Sequence, residues 1–268
     1  MECEIGILGG TGFYKMVEGT ERPDITTRYG DTSSAPVLGE LAGRRVAFIA
    51  RHGKNHSLAP HNVPYRANID ALCSLGARRV IATTAIGSLH EEYAPGDIVF
   101  FDQFVNMTRS RPDTFFDDKG GVVHVNMAEP YCSELRAIAI EQAVSLGIKH
   151  HSKGTVVAVE GPRFSTKAES KFFAAQGFHT ICMTQYPEAA LARERQLCYL
   201  GIGIVTDYDS GVESAGATHS SFYEISRVFG RNVEKVCALI EHILPAIPEK
   251  RESCACPASL DGAAVKTP

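Results

Sequence analysis

The 268-residue sequence has no tryptophan, no apolar run near the roughly 18 residues a membrane helix needs, and no clustered basic patch. Each absence closes a class of function. Without a long apolar run, no membrane span is expected. The 27 lysines and arginines are spread along the chain against 31 acidic residues, a net charge of −4, so nucleic acid is not an expected partner. No basic flank precedes the first apolar segment, Ile5–Leu8, and no cleavage pattern follows it, so export is not expected and the cytoplasm is the expected compartment. Internal repeats, low-complexity linkers and a Gly-x-Ser-x-Gly elbow are also missing, and no cysteine and histidine spacing matches a structural zinc site.

What is present reads as α/β. Short β-branched or apolar runs at Ile5–Leu8, Val46–Ala50, Val80–Thr84, Ile98–Phe101, Thr155–Val159, Thr180–Met183 and Ile202–Thr206 predict strands of a largely buried sheet. Between them, Tyr65–Leu75 and Ser133–Leu146 carry helical spacing. Thr166–Glu169 and Ser221–Glu224 are capping boxes. The second starts a helix whose stripe is Ile225, Val228, Phe229, Val236, Ile240 and Leu244, ahead of Pro245 and Pro248. A single domain over residues 1–248, with a central sheet flanked by helices, is followed by a polar tail, 249–268. Six of the eight cysteines, Cys3, Cys73, Cys132, Cys182, Cys198 and Cys237, fall in predicted elements and read as buried, reduced thiols. Cys254 and Cys256 lie in the tail, as exposed thiols or as an oxidisable clasp.

The predicted strands end in residues with chemistry. Gly9-Gly10-Thr11-Gly12 follows the first strand, where backbone amides and a hydroxyl suit an anion, although such clusters are also ordinary turns. It is not the dinucleotide fingerprint: counting from Gly10, the third position is Gly12 but the sixth is Lys15, so no nicotinamide cofactor is implied. Arg51-His52-Gly53 sets a guanidinium fork and an imidazole at another strand end, able to hold phosphate oxygens or to be a solvated loop pair. Thr83 to Ser88 adds hydroxyls and permissive backbone that suit phosphate and the edge of a flat base, with Thr84, Ala85, Ile86 and Gly87 as the candidates. Asp207 and Asp209 flank Tyr208 after the strand Ile202–Thr206. A partly desolvated carboxyl there can handle a proton near neutrality, or both can simply cap a turn.

Taken together, Gly9–Gly12, Arg51–Gly53, Thr84–Leu89, Met127–Pro130, Glu160–Ser165, Met183-Thr184 and Thr206–Asp209 resemble methylthioadenosine phosphorylases, in the trimeric branch of the purine nucleoside phosphorylase family. The resemblance spans about residues 4–245 and implies a nucleoside phosphorylase fold with a mixed sheet. It implies that Thr11, Arg51, His52, Thr84 and Thr184 hold phosphate, that Met183 packs on the ribose, and that Phe164 and Ser165 border the base. Asp207 would exchange a proton with the imidazole nitrogen of adenine, and Asp209 would meet the exocyclic amino group. A carboxylate suits an amino donor better than a 6-oxo group, which points to adenine. Phosphate is then a co-substrate, with no cofactor implied. His124 aligns with a histidine that in this family reaches a neighbouring subunit's site near the 5′ group, implying a trimer or a dimer of trimers. His219 stands where methylthio-selective relatives carry an apolar residue. His219, Ser220 and Phe222 are the candidates for the 5′ pocket, and adenosine stands as an alternative substrate to methylthioadenosine. A hydrolytic nucleosidase and a nucleoside sensor without turnover are the rival readings.

Overall fold

The computed structural model describes residues 3–10, 13, 16–117, 121–212 and 221–264. Among them, eleven strands join in one mixed sheet: β1 (Ile5–Gly9), β2 (Glu18–Glu21), β3 (Val37–Leu41), β4 (Arg44–Ala50), β5 (Arg79–Ser88), β6 (Ile98–Phe100), β7 (Gln103–Met107), β8 (His150–His151), β9 (Thr155–Val159), β10 (Thr180–Cys182) and β11 (Cys198–Tyr208). The helices are α1 (Tyr65–Ser74), α2 (Ser133–Ser145), α3 (Lys167–Ala175), α4 (Gln185–Glu194) and α5 (Phe222–Ala246).

The central strands are apolar throughout because both of their faces are covered. On β1, Ile5 and Ile7 pack with Leu135 and Ala139 of α2 and Val236 and Ile240 of α5, while Leu8 joins Leu72 of α1 and Leu191 of α4 on the other face. Gly6 lets α1 approach closely, since a Cβ there would lie 2.7 Å from Leu72 Cδ1. The box at Thr166 forms in full, with the Thr166 amide donating back to Glu169 Oε2 at 2.8 Å, and at Ser221 the N-cap half of the second forms. Thr166 Oγ1 accepts from the Glu169 amide at 3.1 Å, and Ser221 Oγ accepts from the Glu224 amide at 3.2 Å. Along α5, Phe229, Val236, Ile240 and Leu244 are buried, whereas Ile225 and Val228 are half-buried because the first turns run past the sheet.

One irregularity in the sheet makes the site. The first half of β5 pairs in parallel with β1, up to Ala82 opposite Leu8, and its last residues pair antiparallel with β10, Gly87 opposite Ile181. The intervening stretch, Thr83–Ile86, has no strand partner on that edge among the described residues, while β11 runs beside it on the other edge. A gap therefore opens beyond the carboxyl end of β1, the kind of place where open α/β sheets take ligands.

The tail departs from its expected solvated state. Cys256 is 3% exposed, the Arg251 guanidinium donates to the Gln196 carbonyl at 2.7 Å, and the Ser259 hydroxyl donates to the Arg193 carbonyl at 2.7 Å. The reading of Cys254 and Cys256 as exposed thiols is thus corrected, with Cys256 buried and Cys254 half-buried. Among the described residues, no helix is long and apolar enough to cross a membrane.

Candidate active site

A cavity of about 530 Å³ fills the gap beside β5. Its walls include His52, Thr84, Ala85, Ile86, Gly87, Phe164, Ser165, Met183, Thr184, Asp207, Asp209 and Phe222, which the sequence places in segments far apart. Thr11 and His219 lie outside the described residues. Arg51 and His124 are not in its wall.

At the inner end, Thr84 Oγ1 and Thr184 Oγ1 are 3.0 Å apart and buried. The antiparallel pairing of β5 with β10 causes this, since it brings the end of β10 back alongside Thr84. Two hydroxyls so placed can both turn to one anion. His52 joins them. Its Nδ1 lies 3.0 Å from the Leu58 carbonyl, which can only accept, so Nδ1 carries the proton and Nε2 is the remaining polar atom. The ring stacks on His56 with centroids 4.4 Å apart.

Burial, reinforced by the Arg51 charge, lowers the His52 imidazole from 6.5 to about 4. Between those values the unfolded chain binds a proton that the folded one refuses, so stability is lost as pH falls from 6.5 towards about 4. Replacing His52 with Asn should flatten that part of the stability–pH curve by about 1–3 kcal/mol, read from urea unfolding at pH steps across the window. Parallel curves for the two proteins would show that His52 is not held neutral.

Arg51 corrects an expectation. Its fork does not face the cavity but closes on Glu188 of α4, with Nε and Nη2 each 2.7 Å from a carboxylate oxygen. Nη1 donates to the Thr83 carbonyl at 2.7 Å, Nη2 also donates to the Leu8 carbonyl at 3.3 Å, and Tyr199 donates to Glu188 at 2.7 Å. Burial opposes the guanidinium charge, but the Glu188 carboxylate outweighs it and raises the Arg51 pKa. Of the five guanidinium N–H groups, one on Nη1 remains uncommitted. No motif announced Glu188. The one hint is a carboxylate beside the Ala-Ala-Leu-Ala run Ala189–Ala192, whose four residues are all buried.

Across the cavity, β11 carries the carboxylates. Its pairing with β5 shifts register between Val205 and Asp207, a bulge that leaves Thr206 extra and re-aims the residues after it. Thr206 Oγ1 lies 2.7 Å from Asp207 Oδ1, which holds the Asp207 carboxylate in one orientation. Asp209 is 5% exposed, and its Oδ2 is buried with no protein hydrogen-bond partner. Burial pushes its pKa up, against hydrogen bonds from Ser170, the Ser210 backbone and Ser165. Asp209 lines the cavity, and a buried carboxylate oxygen without a protein partner is a group that a bound ligand can satisfy.

Met183 is placed by a group the sequence reading missed. Arg111, 7% exposed, donates to the carbonyls of Met183, Tyr186 and Glu160, each at 2.7 Å, and so ties β10 to the loop after β9. In that loop Gly161 has φ +65, and a Cβ on it would sit 2.5 Å from Met183 Sδ. Gly161→Ala should cost about 1–2 kcal/mol from the left-handed backbone alone and push the Met183 thioether into the cavity. Urea unfolding would read the first effect and a raised KM the second. An unchanged KM would remove Met183 from the substrate contacts. At the outer end Phe164 is 43% and Phe222 61% exposed, and Phe222 meets His56 edge-on at 5.7 Å. His124 is exposed elsewhere, its amide donating to the Ala263 carbonyl of the tail at 2.9 Å.

The cavity thus joins a hydroxyl-rich anion end to a carboxylate-bearing end across a thioether, the outline of a site that splits a glycoside with an anion. Residues 4–245 match the family model of the phosphorylase superfamily. The chain is 49% identical over 267 residues to the S-methyl-5′-thioadenosine phosphorylase of Thermofilum pendens, covering 98% of this chain and 99% of that one. It is 45% identical to the purine nucleoside phosphorylase of Streptomyces coelicolor, covering 98% of this chain and 96% of that one. Among solved structures, a methylthioadenosine phosphorylase from an antarctic soil metagenomic library superposes with a TM-score of 0.91 at 37% identity, covering 99% and 93% of the two chains. A mutant adenosine/methylthioadenosine phosphorylase of Schistosoma mansoni, solved with methylthioadenosine, does so at 0.90 and 33%, covering 98% and 99%. The chain belongs to the phosphorylase superfamily, and its fold is that of the nucleoside phosphorylases.

Proposed function

We propose that this protein is a pentosyltransferase that cleaves S-methyl-5′-thioadenosine with inorganic phosphate, giving adenine and 5-methylthioribose 1-phosphate. The observation that carries the reading is the pairing of Thr84 and Thr184 hydroxyls at one end of a single cavity whose far wall bears Asp207 and Asp209. Phosphate is held by the Thr84 and Thr184 hydroxyls, with His52 Nε2, an acceptor in this tautomer, taking the P–OH hydrogen of hydrogen phosphate, and the resemblance assigns Thr11 to the same anion. Arg51 acts on the site indirectly, through the Thr83 carbonyl that its Nη1 holds beside Thr84. As the C1′–N9 bond breaks, its electron pair passes to adenine and positive charge gathers on the ribosyl ring. Phosphate stabilises that charge and then forms the new C1′–O bond. Asp207 supplies or shares the proton that neutralises the departing base.

Met183 lies against the ribose, and Ala85, Ile86, Gly87, Phe164 and Ser165 border the base. The open Oδ2 of Asp209 favours adenine, because it takes up the exocyclic amino hydrogen, whereas a 6-oxo group would leave it unpaired. No cofactor enters this scheme. The rival hydrolytic reaction has no use for a paired-hydroxyl anion end, and a sensor has none for a proton donor. Removing phosphate should abolish release of adenine, and a sugar 1-phosphate should form when it is restored. Release at an unchanged rate without phosphate would refute the reading.

The 5′ end favours a thioether. Phe222 and Ile225 at the start of α5 present apolar surface there, although His219, which would suit a hydroxyl, precedes them. Methylthioadenosine should exceed adenosine in kcat/KM by about 10-fold or more. Phe222→Ala should erase most of that ratio, and equal losses on both substrates would place Phe222 outside the 5′ pocket. The exposed Phe164 and Phe222 at the mouth, and an adjoining hollow of about 600 Å³ that shares Val159 and Ser165, support a trimer in which a neighbouring subunit completes the site. His124, away from its own cavity, is the residue such a subunit would lend. The cytoplasm is the proposed compartment.

A further inference from the structure

We propose that Cys132, Cys198, Cys254 and Cys256 form a tetrathiolate site for a structural zinc ion. These side chains reach one another from three segments: the residue before α2, the first residue of β11, and the tail. Their four sulfur atoms all lie within 4.8 Å of one another, with Cys198 and Cys254 Sγ 3.5 Å apart. A tetrahedron with zinc–sulfur bonds of about 2.3 Å has sulfur–sulfur edges of about 3.8 Å, which is the scale of this cluster. Four such sulfurs at one point are not explained by apolar packing, since an aliphatic core would serve that purpose equally well.

The donor set selects the ion. Four thiolates favour a soft or borderline dication over magnesium or calcium, and four protein ligands leave no open position, so the site is closed and structural. Zinc with four thiolates carries a net charge of −2, and the Arg193 guanidinium, 3.6 Å from Cys256 Sγ, lies against it as a counter-charge. Cys132, Cys198 and Cys256 are at most 3% exposed, which shields the site from competing water. Spacing alone hides it, because Cys198 and Cys254 are 56 residues apart and the local pair is Cys-x-Cys.

None of the four thiols lines the substrate cavity, so the ion's work is to clasp the tail. Beyond the cluster the tail bridges Val123 through Ala264 and accepts the His124 amide at Ala263. A clasp at Cys254 and Cys256 therefore anchors the segment against which His124 is set.

The test uses the full chain, produced with added zinc and purified anaerobically without chelator. About one zinc per chain is expected, and Cys254→Ser with Cys256→Ser should lower it about tenfold or more. Exchange of cobalt(II) into the unaltered protein should give the intense visible spectrum of a tetrahedral thiolate site, a readout that does not depend on how the variant folds. Chelation should lower Tm. A metal-free chain overturns the proposal, whether its four thiols all react with a thiol reagent or are joined as sulfur–sulfur bonds by intact mass. Zinc retained by the double variant, or a cobalt spectrum without thiolate bands, overturns it too.

Discussion

Replacing Asp207 with alanine should lower kcat on methylthioadenosine by about 10²–10⁴-fold, the range of an ordinary general acid, with little change in KM. The effect is large because adenine leaves poorly as an anion, and Asp207 is held for the transfer by the β-bulge at Thr206 and by the Thr206 hydroxyl 2.7 Å from its Oδ1. Asp207→Asn keeps the shape and that hydrogen bond but cannot release a proton, so it should fall nearer to alanine than to the native protein. A nucleoside whose base departs without protonation should recover most of the rate in both variants. Steady-state kinetics on the two substrates checks this. Near-native turnover by Asp207→Ala on methylthioadenosine would mean that the proton comes from elsewhere.

Glu188→Ala should destabilise the fold by about 3–5 kcal/mol, because it strands a buried guanidinium. Arg51 and Glu188 side chains are each 1% exposed, and the Glu188 carboxylate accepts from Arg51 twice and from Tyr199 once. Glu188→Gln, which keeps acceptor and shape, should cost less. A double replacement by Met at Arg51 and Leu at Glu188 should recover part of the loss, since it leaves no unpaired charge. Urea midpoints at constant slope read all three. A loss under about 1 kcal/mol for Glu188→Ala would show that water reaches the guanidinium. Because Arg51 also holds the Thr83 carbonyl beside Thr84, the alanine variant should raise KM for phosphate as well.

The strands that formed the basis of the reading, such as Ile5–Leu8 and Thr155–Val159, were legible because burial on both faces writes an unbroken apolar run. The helix after Ser221 was legible because one buried face writes a stripe and its cap writes a box. By the same logic α4 left no trace: from Pro187 to Glu194 it is buried on every side, so no stripe distinguishes it. β3 and β7 were missed because their largely half-buried and exposed residues carry too little apolar patterning to stand out from loops, and β2 because its sequence, Glu-Gly-Thr-Glu, carries none.

The site residues were legible in kind but not in commitment. Glycines, hydroxyls and carboxylates at strand ends announce ligand chemistry, and Thr84 with Thr184, and Asp207 with Asp209, take their places around one cavity. By sequence Arg51 looks free to grip an anion, because nothing near it in the chain reveals that Glu188, 137 residues away, occupies its fork. Cys254 and Cys256 look like tail thiols for the same reason.

The sequence alone determined the class of fold, the order of its main elements and the residue types that do the chemistry, since burial periodicity and side-chain chemical type are written residue by residue along the chain. Only the tertiary structure decided which charges meet: the closing of Arg51 on Glu188, the folding of the tail onto Cys132 and Cys198, and the opening of β5 at Thr83–Ile86. Ion pairs and thiol clusters depend on distances of a few ångströms between residues far apart in the chain, and those distances exist only once the sheet has closed its register.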